Sequence, residues 1–162
     1  VLVSGGSSQG EKDFTAGIMD ELAQPGVLTH GIALKPGKPT ILAYDEESAT
    51  VLAGLPGHPA AAMMVFELLI GWLYCQLTGM QQPRRIPAKI SENVAAAGGK
   101  TTCLLVKLTE ETDDISGCVY RAQPLFGKSG LMTMLTEADG YTLIDTDDEG
   151  LKEDQIVQVV LF

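Results

Sequence analysis

The sequence predicts a mixed α/β module followed by a small β-rich module, and three observations carry that expectation. The first 59 residues hold three rigid glycine/proline loops, each beside an apolar strand-like run or a helix start. A long apolar-rich run, Ala60 to Leu77, then has helical spacing. Beyond the polar stretch Gln81–Arg85 the period changes to short, partly alternating runs with glycine-rich turns.

Val1 to Val3 reads as the end of a buried strand, so the chain reads as beginning inside a domain. Phe14 to Leu22 has helical spacing, with Phe14, Ile18, Met19 and Leu22 forming one stripe, Asp13 as N-cap or first-turn residue, and Pro25–Gly26 closing the element. Thr29 to Leu34 and Thr40 to Tyr44 look extended, and Thr50 to Ala53 pairs with the second of these across the turn at residues 45–48. In the helix from Ala60, the early alanines favour close packing on a sheet, and Leu68, Leu69, Trp72, Leu73 and Leu77 are expected to continue the buried face. The domain boundary falls at about residue 80. Five strands follow, at 86–94, 103–108, 118–122, 141–144 and 156–161, with a brief helix at 130–137, which suits a small β-barrel or a sandwich.

The chain has 162 residues, enough for one sizeable domain or two small ones. Its 45% apolar content predicts a folded core. The formal net charge of −10 argues against non-specific nucleic-acid or anionic-membrane partners, which want basic surface. Cys75, Cys103 and Cys118 lack metal-type spacing and are odd in number, which suits reduced thiols in the cytoplasm. The 60–77 run contains Glu67 and Gln76 and is read as a core helix rather than a membrane span.

The three loops read Ser4-Gly5-Gly6-Ser7-Ser8-Gln9-Gly10-Glu11-Lys12-Asp13, Lys35-Pro36-Gly37-Lys38-Pro39 and Gly54-Leu55-Pro56-Gly57-His58-Pro59. Glycine lets backbone amides approach a ligand, and proline sets the loop shape in advance. Together they predict a site for an anion or a phosphorylated metabolite. Lys35 and Lys38, with Lys12, are the only basic residues before position 80, so a local cationic patch stands in an acidic chain. Solvated loop lysines are the bland alternative. Gly5, Gly6 and Gly10 offer amides to a ligand or simply make a tight turn. Asp13 suits a divalent cation, which prefers oxygen ligands, or serves as a helix cap. His58 has no acidic neighbour in sequence, which favours a structural role over a general base; His30 is also read as structural. No Ser-His-Asp or Cys-His arrangement supports covalent catalysis.

The first loop resembles the Ser-Gly-Gly-x-Ser-x-Gly-x-x-Asp segment of the MoeA family, the molybdopterin molybdenumtransferases, which are also similar to the C-terminal region of gephyrin. Lys35 to Pro39 matches that family's Lys-Pro-Gly-Lys-Pro loop, and Gly54 to Pro59 matches Gly-Leu-Pro-Gly-Asn-Pro with His58 in place of asparagine. Ser129-Gly130-Leu131 and Ala138-Asp139-Gly140 look like the signature of its last domain. The resemblance spans essentially the whole chain and implies two parts. Residues 1–80 would be the latter part of a three-layer α/β domain similar to the molybdopterin adenylyltransferases, with a mostly parallel or mixed sheet. Residues 81–162 would be a C-terminal β-barrel.

The implied reaction inserts molybdate into the dithiolene of adenylylated molybdopterin and releases AMP. The resemblance gives catalytic roles to Asp13, Lys35 and Lys38, with Asp13 also holding Mg²⁺. It gives substrate contacts to Gly5, Gly6, Ser7, Ser8, Gly10, Pro56, Gly57, His58, Pro59 and Ser129. A homodimer, an adenylyltransferase partner and a cytoplasmic location are also implied, with a fragment of this length inactive alone. The alternative of another class is a non-catalytic pterin- or protein-binding module of the same fold.

Overall fold

Four strands form the sheet of the first unit, in the order β1, β5, β4, β2. Strand β1 (Leu2–Ser4) runs parallel to β5 (Thr50–Leu55), which is antiparallel to β4 (Ile41–Asp45), itself antiparallel to β2 (Pro25–His30). The computed structural model describes residues 1–5, 14–113, 117–127 and 132–162, and divides into two units, Val1–Thr78 and Gly79–Phe162. Of the mostly parallel or mixed sheet that the resemblance implies, the mixed form is observed, and β4 and β5 make the expected hairpin.

Helix α1 (Thr15–Leu22) packs on this sheet through Met19, which is 1% exposed, together with Ala16 and the following Ala23. The expected stripe is therefore wrong in three of its four members: Phe14, Ile18 and Leu22 are exposed. The buried face runs 16, 19, 23, a line of small residues around one methionine that lets the helix sit close to Ile41, Ala43 and Leu52. The strand expected at 29–34 lies instead at 25–30. Proline tolerates the first position of a strand, where its missing N–H breaks no ladder. Gly26, at φ +87°, lies against the Asp20 carboxylate, which accepts the Val27 N–H at 2.6 Å; a Cβ there would lie 2.5 Å from that oxygen. Strand β1 is exposed along its length rather than buried, and among the described residues its one partner strand is β5.

A two-residue strand β3 (Leu34–Lys35) precedes the second loop. After the third loop the chain is helical from Pro59 to Thr78, as α2 (Pro59–Val65), a π-helical turn (Phe66–Gly71) and α3 (Trp72–Thr78). Ala60, Ala61, Met64 and Val65 are buried, as the early alanines predict. The later face is not: Leu68, Leu69 and Leu73 are only half-buried, and Trp72 and Leu77 are exposed. The extra residue of the π turn rotates the downstream side chains away from the α-helical register on which that expectation rested. By length and composition this segment would also suit a membrane crossing, with a mean hydropathy of 1.6, but its first turns are packed within the unit.

The second unit is a closed five-stranded barrel. Strands β6 (Arg85–Ile90), β8 (Thr101–Asp113), β9 (Gly117–Pro124), β10 (Gly140–Ile144) and β12 (Ile156–Leu161) run in the order β10, β12, β6, β9, β8, and β8 pairs back to β10. The barrel alternative of the sequence reading is thus the observed one. Side chains alternate into its centre: Ala88 and Ile90, Leu104 and Val106, Val157 and Val159. The strand expected at 86–94 is broken after Ile90, and Val94–Ala95 forms β7, which pairs with β11 (Gly150–Leu151). A short helix α4 (Met132–Glu137) precedes β10. At Gly140 a Cβ would lie 2.2 Å from the Val160 carbonyl oxygen, so only glycine lets β10 and β12 close the barrel here.

Candidate functional site

All three loops leave the same end of the first unit's sheet. Because β1 and β5 are parallel, their C-terminal ends coincide, and Ser4 is in register with Leu55. Because β4 is antiparallel to β5, its first residue Ile41 is opposite Gly54, and the chain entering it is Lys38-Pro39-Thr40. Gathering loops at one sheet end is how α/β proteins build sites.

The first loop starts at Gly5, whose N–H donates to the Leu55 carbonyl at 3.4 Å and whose carbonyl accepts the Thr15 hydroxyl at 3.4 Å. Gly5 has φ +93°, and a Cβ on Gly57 would lie 4.0 Å from its Cα, so the first and third loops approach closely. Gly6, Ser7, Ser8, Gly10 and Asp13 lie outside the described residues, as does Ser129 of the second unit.

The second loop is firmly held. Ile32 N–H donates to the Lys38 carbonyl at 2.9 Å, and Gly31 N–H to the Thr40 carbonyl at 2.7 Å. Thr40 is fully buried, and its hydroxyl donates to the Gly37 carbonyl at 2.7 Å. Gly37 is itself buried at φ +131°, where a Cβ would lie 2.7 Å from Val65 of α2 and 3.0 Å from Leu34. Lys35–Pro36 is a cis peptide. On this fixed frame Lys35 and Lys38 are exposed, and among the described residues no carboxylate pairs with either.

The third loop turns at Pro56, which is buried, while Gly57, His58 and Pro59 are exposed. His58 occupies the N-cap position of α2, with Pro59 opening the helix. Its carbonyl accepts the Ala62 N–H at 2.9 Å, but its side chain makes no capping hydrogen bond. The imidazole therefore does not reproduce the backbone support that an asparagine gives at such a position. It stands exposed at the loop surface.

Charge is divided along the sheet. Lys38 lies on the chain entering β4 at the end where the loops gather, whereas the turn Asp45-Glu46-Glu47 leaves β4 at the opposite end. Hydrogen bonds from the Ser48 side chain, then from the backbone N–H groups of Gln24 and Ser48, hold the Asp45 carboxyl below its ordinary range. Among the described residues no group of three or more His, Cys, Asp or Glu could hold a metal. The residues that sequence reasoning missed are Thr40 and Val65, which fix the lysine loop. Thr40, a polar residue between Pro39 and an apolar strand, was the available signal.

Two family profiles match the chain. Residues 1–74 match a probable molybdopterin binding domain, and residues 87–162 match the MoeA C-terminal region, domain IV. A putative molybdopterin biosynthesis protein of Methanocaldococcus jannaschii is 27% identical over 161 residues, covering 99% of this chain and 36% of the relative. A molybdopterin molybdenumtransferase of Synechocystis is 30% identical over 142 residues, covering 87% of this chain and 33% of the relative. Among solved structures, a molybdopterin biosynthesis MoeA protein from Pyrococcus horikoshii superposes with a TM-score of 0.76 at 31% identity, covering 99% of this chain and 36% of that one. The chain thus spans about a third of the length of the relatives it matches. With both units matched in order, and with the fold shared along its whole length, the chain belongs to the MoeA family.

Proposed function

We propose that this chain is the part of a molybdopterin molybdenumtransferase that carries the lysine loop of its substrate site. The observation that supports this most is the gathering of the Gly5, Lys35–Pro39 and Gly54–Pro59 loops at one sheet end, within a unit matching a molybdopterin binding domain. Molybdate and the phosphates of adenylylated molybdopterin are the substrates, and the reaction places molybdenum on the dithiolene sulfurs with release of AMP. Lys35 and Lys38 are compact cations suited to these anions. Lys38 sits in a loop whose backbone is already hydrogen-bonded, so little ordering entropy is lost on binding. Pro56 and Pro59 shape the facing loop, Gly57 is exposed, and among the described residues no atom lies within 4 Å of where a Cβ on Gly5 would stand, which leaves a phosphate room to approach. Gly6, Ser7, Ser8 and Gly10 extend the first loop's contacts, and His58 supplies an exposed imidazole beside them.

Magnesium enters this reading through Asp13 alone. Ser129 contacts, a homodimer, an adenylyltransferase partner and a cytoplasmic setting complete the proposal; the reduced thiols of Cys75 and Cys103 suit that setting. Division into an α/β part up to about residue 80 and a barrel after it belongs to the same reading.

The test is molybdate insertion by the full-length protein given adenylylated molybdopterin, molybdate and Mg²⁺. Release of AMP with formation of molybdenum cofactor is expected. Tight binding of the pterin without turnover would instead establish the non-catalytic binding module.

A further inference from the structure

The barrel of the second unit has an open mouth where β6 and β10 begin and β12 ends, while β8 runs on beyond it. A cavity of about 320 Å³ lies there. Its walls are the side chains of Ile86, Leu108 and Leu161, which also pack against the barrel core. Its rim carries Glu110, Asp139, Tyr120 and Arg84. The Tyr120 hydroxyl donates to Glu110 Oε1 at 3.3 Å, and Asp139 Oδ2 accepts the Leu108 N–H at 2.7 Å. Both carboxylates are thus tethered by one oxygen each, at fixed places on the rim, and both side chains remain exposed to solvent.

The geometry points to this mouth as a binding site for an organic cation, an ammonium or guanidinium group on an apolar stem. Two carboxylates against one guanidinium give the rim a net charge of −1, within a chain of net charge −10. An apolar wall below an acidic rim matches the side chains of lysine and arginine, which bury their stems and keep the charged head near water. The volume is at the small end for ligand pockets, which run from about 300 to 1,000 Å³. That suits a single side chain or a small amine rather than a nucleotide or a pterin. Barrel mouths are frequent ligand positions. This site is separate in chemistry from the lysine loop, which wants anions, and does not depend on the transferase reading.

The test is methyl NMR of the intact protein, following Ile86, Leu108 and Leu161. The probes are acetyl-Gly-Arg-Gly-amide, its neutral citrulline analogue, and spermidine. Saturable shifts at these methyls with a cationic probe, absent with the citrulline peptide, are expected. Glu110→Gln, an exposed and nearly isosteric change, should weaken binding at least about fivefold. Binding of the arginine peptide alone would identify a peptide side chain as the source of the cation, and binding of spermidine alone a free amine. Absence of saturable shifts with both cationic probes, equal shifts with citrulline, or unchanged affinity in Glu110→Gln would overturn the proposal.

Discussion

The hydroxyl of Thr40 donates to the carbonyl of Gly37 at 2.7 Å, and both residues are buried. This bond ties the turn of the Lys35–Pro39 loop to the start of β4. It makes the position of Lys38 a property of the core rather than of a free loop. Thr40→Val keeps the side-chain volume and removes the donor, leaving a buried carbonyl unsatisfied. The expected loss of stability is about 1–3 kcal/mol. Urea melts check that, and Thr40→Ser should recover most of it. A stability unchanged in Thr40→Val would show that the bond does not anchor the loop.

Lys38→Ala should separate function from folding. An exposed side chain contributes within about 0.5 kcal/mol to stability. Loss of a charge-assisted contact to a bound anion should cost roughly 1.5–3 kcal/mol, or about 10- to 150-fold in the affected step. Rates of molybdate insertion at subsaturating substrate read this directly. Equal rates for variant and wild type would remove Lys38 from the site.

Gly140→Ala should open the barrel. The new Cβ would lie 2.2 Å from the backbone oxygen of Val160, which no rotamer change relieves. Such overpacking typically destabilises by about 1–3 kcal/mol. Because the clash sits between two paired strands, hydrogen exchange at Tyr141 and Val160 should rise first. Wild-type protection there in the variant would contradict the geometry.

Cys103 should resist alkylation at pH 8 in the folded protein. Burial pushes its thiol from the ordinary value near 9 up to about 12, and the thiolate is the reactive form. The folded state thus holds a proton that the unfolded state has released between those values. Stability from this group is complete below about pH 9 and is lost as pH rises toward about 12. In Cys103→Ala the decline in stability over pH 9–11 should be shallower than in wild type, by up to about 1.4 kcal/mol per pH unit. Parallel declines would place the thiol in contact with solvent.

Much of this was legible in the residues. The hairpin of β4 and β5 and the strands of the barrel follow from alternation bounded by turn residues, and β12 matches its expected range to the residue. The lysine loop was visible because glycine and proline mark backbone shape locally. What failed depended on partners far away in sequence. Phe14, Ile18 and Leu22 have faultless helical spacing, yet α1 meets the sheet through Ala16, Met19 and Ala23. Spacing cannot say which of two apolar faces will find a neighbour. Likewise no local signal marks the π turn at Phe66–Gly71, so the burial of Trp72 and Leu77 was expected in the wrong register. Thr40 was missed for the same reason, since its partner Gly37 becomes an acceptor only once the loop has closed.

The barrel's first strand, β6, pairs with its last, β12, Arg85 lying opposite Val160. On a ribosome, that pairing has no partner until nearly the whole unit has been synthesised. The β8–β9 hairpin can zip as it emerges, because its strands are neighbours in the chain. Enclosure of Ile90 and Val159 must wait for β12. During translation this unit is therefore an open sheet with exposed ladder edges, and release of β12 from the exit tunnel is the event that seals it.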